Sequence, residues 1–178
     1  SQLAKSKAIV RRLQAVETLG STSYILTDKT GTLTQNKMSA TNVATLNENY
    51  TITQIRNDGF TFLDSKKDPV SPNQQEDLKL ILLNSILCND AEASSGTSND
   101  SNSYIGDPTE TALIELGIRA GLNIKETRKS YNRLYEIPFS SETKRMVVVT
   151  SDPENSDEAY VFAKGAPEII QEMVPTEN

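Results

Sequence analysis

The sequence predicts an α+β fold: an antiparallel β-sheet flanked by helices, with a short α/β segment at the N-terminus. Three observations carry this. Residues 38–63 alternate weakly between apolar and polar around an Asn-Asp-Gly turn at 57–59, as hairpin strands do. Three later runs, Tyr135–Phe139, Arg145–Thr150 and Ala159–Lys164, are rich in β-branched and aromatic residues and follow one another closely. Two helical segments, 73–87 and 107–121, separate these groups.

Taken in order, residues 2–18 suit a helix, with Leu3, Ile9, Val10, Leu13 and Val16 near helical spacing and Gly20 as a stop. Ser23–Thr27 is apolar and β-prone, and it runs into Asp28-Lys29-Thr30-Gly31-Thr32-Leu33-Thr34, where Gly31 and the threonines mark a turn. The hairpin strands follow, and after Pro69 and Pro72 a helix should run from about Asn73 to Leu87. Residues 91–103 are a polar, low-complexity loop. The next helix has the clearest start: Asp107 can cap, Pro108 suits the first position, Glu110 completes a capping box, and Gly121 supplies the stop. Asp152–Asp157 makes the turn between the last two strands, and a final helix begins near Pro167. There is no internal repeat.

Composition narrows the chemistry. The 178 residues carry 18 Lys+Arg against 24 Asp+Glu and no histidine, for a net charge of −6. Imidazole general-base catalysis, histidine-activated nucleophiles and most zinc sites are therefore excluded, which leaves carboxylate, lysine and hydroxyl chemistry. The single cysteine, Cys88, excludes an intramolecular disulfide and a CxxC pair, and fits a reducing cytosolic setting. The most apolar stretch, Leu78–Leu87, is about half the ~20 residues of a membrane span, and residues 1–20 do not read as a secretory signal. Residues 1–37 hold six basic and two acidic side chains, a net of +4, which leaves −10 for residues 38–178. Such a body repels a phosphate backbone, so no nucleic-acid partner is expected. The basic run reads equally as a solvated helix face or a membrane-proximal one.

The candidate chemistry begins at Asp28. A carboxylate at the carboxyl end of a strand, followed by a loop of amides and hydroxyls, can attack a phosphoryl group if a magnesium ion neutralises the approaching charges. Lys29 adds a cation. Four residues, Asp-x-Thr-Gly, would fit an ordinary strand-to-turn junction as well.

Seven consecutive residues, Asp28 to Thr34, match the phosphorylation motif of the P-type cation-transporting ATPases, and here the sequence resembles that family. Flanks at Ala15–Gly20 and Thr34–Met38 are similar to those of its calcium and sodium/potassium pump branch. Further blocks recur in the family's order: Leu87–Asp90, Gly106–Glu110, Pro138–Ser141 with Lys144–Met146, and Lys164–Glu168. The resemblance implies ATP as substrate and Mg2+ as cofactor, with Asp28 as phosphoryl acceptor, Lys29 beside it, and Asp28 and Thr30 at the metal. Related phosphatases place an acid-base aspartate where Thr30 stands, so the acyl phosphate should persist.

For the nucleotide, the resemblance implies that Phe139 stacks on adenine, that Lys144 and Lys164 hold the triphosphate, that Gly165 allows close approach, and that Glu110 contacts the adenine side, with Asp107 near the phosphates or their magnesium. On their own these residues also read as a core phenylalanine, solvated strand-end lysines and a capping box. Ser141 stands where some relatives carry an arginine, leaving one phosphate contact unfilled. The implied organisation is the first part of a haloacid-dehalogenase-like phosphorylation domain over 1–38 and a nucleotide-binding domain over 39–178. The implied partners are the remaining phosphorylation, actuator and transmembrane domains of a membrane pump, this segment lying on the cytoplasmic side and calcium being the expected ion. Two readings compete with an ATP-binding pump segment: an autonomous phosphatase or phosphotransferase of the haloacid dehalogenase type, and a non-catalytic interaction module. An unpaired edge near Arg145–Thr150 or Ala159–Lys164 is also expected, with a dimer through it as an artefact of excision.

Overall fold

A computed structural model of the chain describes residues 13–55, 59–93, 104–155 and 157–174. Contacts group the chain into two compact units, Ser1–Asn36 and Lys37–Asn178.

In the first unit, helix α1 spans Leu13–Gly20; the rest of the expected helix, residues 2–12, lies outside the described residues. Ser23–Thr27 forms no strand, and Tyr24, Ile25 and Leu26 are exposed. A strand exists only through its ladder, and no described segment pairs with this one, so β-prone composition alone does not produce it. The following loop closes on itself. Thr34 donates its N–H to the Lys29 carbonyl (3.1 Å), Gly31 takes a positive φ of 75°, and the Gly31 N–H reaches the Thr34 hydroxyl (3.3 Å). Glycine adopts that φ without steric penalty.

The second unit opens with a four-stranded antiparallel sheet in the order β1 (Asn42–Ala44), β2 (Asn49–Ile55), β3 (Gly59–Leu63), β4 (Pro69–Val70). Ile55 pairs with Gly59, and the expected turn lies partly outside the described residues, at 56–58. Helix α2 is Glu76–Leu87, starting three residues later than expected because Pro72–Gln74 first makes a single tight turn. A two-stranded ladder, β5 (Glu92–Ala93) with β6 (Tyr104–Ile105), brackets the polar loop, whose residues 94–103 lie outside the described residues. Helix α3 is Pro108–Arg119. Helix α4, Ile124–Ser130, was not anticipated; its sequence is mostly polar, and only Asn123, accepting the N–H groups of Lys125 and Glu126, marks its start. A second antiparallel sheet follows in the order β7 (Arg133–Ile137), β8 (Arg145–Ser151), β9 (Ala159–Gly165), and helix α5 is Pro167–Met173. Strand β8 is thus central, so Arg145–Thr150 is no edge; β7 and β9 are.

The core is built around α2. Leu78 and Leu82 pack with Val43, Tyr50 and Phe62 of the first sheet and Leu116 of α3. Leu83, Leu87 and Cys88 pack with Met146, Val148 and Phe162 of the second sheet. Ile86 meets Ala91, Ile114 of α3 and Ile124 of α4. The buried side chains of α2 thus serve three clusters, while Glu76, Lys79 and Leu80 are exposed.

Candidate functional site

Strand alternation decides which side chains share a face with α2. Met146, Val148 and Thr150 of β8 point to it, and the register pairs Met146 with Lys164 and Val148 with Phe162. Lys164 therefore sits one step beyond the apolar core, on the helix-covered face. Across from it, the first turn of α3 carries Glu110, and Lys164 Nζ donates to Glu110 Oε1 at 2.5 Å, with side chains only 21% and 18% exposed. Asp107 accepts the Thr109 N–H (2.8 Å), which completes half of the capping box. Glu110 turns to the lysine and accepts the Asp90 N–H (3.4 Å).

The pair is held from behind by residues that carried no assigned role. Asn89, 1% exposed, donates its amide to the carbonyls of Ser85 (3.0 Å) and Glu110 (2.9 Å). Asn84 donates to the Ala163 carbonyl (2.8 Å), fixing β9 next to Lys164. Asp90 pairs with Arg133 (2.9 Å), which also binds Glu136 (2.7 Å) and the carbonyls of Leu87 and Asn89 at the end of α2. The block Leu87–Asp90 stood out in the sequence; Arg133 gave no signal, since its partners lie far away in the chain. Burial works against the Arg133 charge, but the Asp90 and Glu136 carboxylates outweigh it and raise the pKa. Cys88 is fully buried, and burial pushes its thiol up to about 11.

The remaining predicted residues fall in the β7–β8 connection and at the end of β9. Phe139 is 58% exposed, two residues past β7, which removes it from the core. Lys144 has a positive φ of 50°, is exposed, and its Nζ lies 4.0 Å from Glu168. The turn before it is closed by the Lys144 N–H on the Ser140 carbonyl (2.8 Å) and by Ser140 against Thr143 (2.8 Å). Gly165 pairs with Arg145, and a Cβ there would meet the Lys144 carbonyl oxygen at 2.4 Å and Arg145 Cα at 2.9 Å. Its bareness is required by the sheet itself.

Asp28, Lys29 and Thr30 belong to the other unit and are all exposed. One Asp28 oxygen accepts the Lys29 N–H at 2.7 Å. Among the described residues no cluster of three or more acidic or thiol side chains could hold a metal ion. Asp28 is a single exposed carboxylate, and magnesium takes one or two carboxylates and completes its shell with phosphate and water. No helix among the described residues is long and apolar enough to cross a membrane.

A family model for the P-type ATPase cytoplasmic domain N matches residues 77–173, more than half of the chain. The chain is 38% identical over 170 residues to calcium-transporting ATPase 1 of Lactococcus lactis, 34% over 174 residues to a calcium-transporting ATPase of Bacillus subtilis, and 37% over 171 residues to one of Listeria monocytogenes. Each alignment covers 96% of this chain but only 16%, 19% and 17% of the respective relative, so the chain spans less than a fifth of their length. Residues 77–173 hold all of α2 but its first residue, α3, the whole second sheet and every residue of the Glu110–Lys164 network, and the chain belongs to the P-type cation-transporting ATPases, of the calcium-pump-like branch.

Proposed function

We propose that this chain is the ATP-binding cytosolic part of a calcium-transporting P-type pump, with residues 1–38 beginning a haloacid-dehalogenase-like phosphorylation domain and 39–178 forming the nucleotide-binding domain. The observation that carries the reading is an exposed aromatic ring, Phe139, in the connection that follows β7, together with a sequestered carboxylate–ammonium pair between Glu110 of α3 and Lys164 of β9 in the same sheet-and-helix unit. Phe139 offers a stacking face for adenine. Glu110 and Lys164 supply an acceptor and a donor held at fixed positions. Both lysines face a carboxylate, but the Lys144–Glu168 pair is long (4.0 Å) and solvent-exposed whereas Lys164–Glu110 is short and sequestered, so Lys144 is the one more readily drawn to a triphosphate, and Lys164 serves orientation more.

Asp28 is the phosphoryl acceptor in this reading. Its free carboxylate oxygen attacks the γ-phosphorus, the bond to the bridging oxygen breaks, ADP leaves, and an acyl phosphate remains. Asp28 and Thr30 would hold Mg2+, which neutralises charge on the transferring group. Thr30 has no carboxylate to activate water, so it preserves the acyl phosphate. An autonomous phosphatase would need that proton acceptor, and nothing else in the molecule favours one. The actuator, transmembrane and remaining phosphorylation domains are the partners, with this segment on the cytoplasmic side.

Calorimetric titration of ATP into the wild-type chain and Phe139→Ala tests the reading. Base stacking is worth on the order of 1–3 kcal/mol, so affinity should fall roughly tenfold or more. Unchanged affinity in a folded variant overturns it.

A further inference from the structure

A cavity of about 350 Å³ opens at the opposite end of the second sheet, and none of the residues assigned above to nucleotide contact lines it. It lies beside Thr150, four residues along β8 from the partner of Lys164, or about 13 Å at the rise of a strand. Its walls include Asn89, Asp90, Arg128, Tyr131, Arg133 and Thr150.

Two features of this wall lack a counterpart. Thr150 is 1% exposed, and its Oγ1 has no hydrogen-bond partner. Buried hydroxyls are almost always satisfied, so an orphan lining a cavity points to something that enters it. Arg128, from α4, donates to the carbonyls of Ile86, Asn89 and Ala91, yet it has no carboxylate within ion-pair distance among the described residues. Arg133, by contrast, has two. Both guanidiniums donate to the Asn89 carbonyl at 3.0 Å, so they stand close together and repel. Burial and the neighbouring Arg133 hold the Arg128 pKa below its ordinary value. Four of the five Arg128 N–H groups are engaged, and one on Nη1 remains; on Arg133 only the Nε–H remains.

We propose that this cavity is a second ligand site, taking a small molecule with an oxyanion group, carboxylate or phosphate, whose oxygens accept from the remaining N–H groups of Arg128 and Arg133 and from the Thr150 hydroxyl. The counter-charge that Arg128 lacks is what the ligand supplies. Opposing it are the Asp90 and Glu136 carboxylates, both already committed to Arg133, and Glu92, an exposed carboxylate at the rim. Glu92 sets the selectivity: it disfavours a highly charged anion.

The test is an amide-resolved NMR titration of the chain with inorganic phosphate and, separately, acetate, each at constant ionic strength set with chloride. Saturable shifts confined to residues 87–92, 128–133 and 150 are expected, and the tighter of the two anions identifies the oxyanion. Thr150→Val keeps the shape and removes the hydroxyl; it should weaken binding about fivefold, the value of one hydrogen bond, while leaving the free chain at least as stable. Glu92→Gln should tighten phosphate several-fold. Absence of saturation, or affinities unchanged in both variants, overturns the proposal. Full displacement of the anion by ATP would fold the cavity into the nucleotide site and overturn its independence; simultaneous binding supports it. A failure of ATP to bind at all would count against the nucleotide reading without touching this one.

Discussion

Replacing Gly165 by alanine separates what the sheet needs from what a ligand needs. The added methyl would sit 2.4 Å from the Lys144 carbonyl oxygen and 2.9 Å from both Cα and Cβ of Arg145. Optimal carbon contacts are at roughly 3.5 Å or more, so about 1 Å must be found. It cannot come from a flexible side chain, because the obstacle is backbone, and that same carbonyl accepts the Ala166 N–H at 2.9 Å. Overpacking of this kind costs about 1–3 kcal/mol, against which alanine regains about 0.4–1 kcal/mol by restricting the unfolded chain. The net is destabilisation of about 1–2 kcal/mol, on the order of 2–8 °C in Tm for a chain of this size. Urea unfolding of the variant measures it directly, with Gly117→Ala as comparator. There the methyl meets Ile86 side-chain carbons at 2.8 Å rather than backbone, and alanine inside α3 regains about 1 kcal/mol of helix propensity, so the cost should be smaller. A Gly165→Ala chain as stable as wild type would refute the steric reasoning, and loss of ATP affinity in it would then belong to the ligand.

Three further outcomes are expected. Glu110→Gln and Lys164→Met should each cost about 1–3 kcal/mol in urea unfolding, and the double variant less than their sum, with a coupling of about 1 kcal/mol; a coupling near zero would mean the pair is only surface decoration. Asp28→Asn should leave ATP affinity unchanged, since the residues proposed to contact the nucleotide all lie in the other unit; a tenfold change by calorimetry would contradict that separation. Cys88 should react with iodoacetamide at pH 8 at least about a hundredfold more slowly in the folded chain than in urea, its thiol lying near 11 against an ordinary 9.0. The folded state keeps the proton more tightly, so this group's contribution to stability is complete below pH 9 and is lost as pH rises toward 11.

Much of the second unit was legible because its signals are local. Asp107-Pro108 announces α3 through a cap and a fixed φ, and the Val-rich run of β8 together with Ala159–Lys164 announces the second sheet. What stayed hidden depends on partners distant in the chain. Ser23–Thr27 has strand composition without a strand to pair with. Helix α4 offers only the Asn123 cap, because a mostly polar helix carries no periodic apolar face. At the site, Glu110 and Lys164 were each identifiable from a motif, but their direct pairing, 54 positions apart, was not, nor was the role of Arg133 in tying Asp90 to the end of α2.

Because α2 contributes to three separate apolar clusters, neither sheet has a core of its own that survives its departure. The two sheets share no ladder, yet they cannot melt one after the other, since withdrawing the helix from one exposes its opposite side to the loss of the rest. Amide exchange in Leu78–Leu87 should therefore proceed only through global opening, and the slowest protons of both sheets should exchange at that same rate. In the proposed nucleotide-binding role such a scaffold would act as a single mechanical body, with motion expected at its rim, where the β7–β8 turn carries the exposed Phe139 and Lys144.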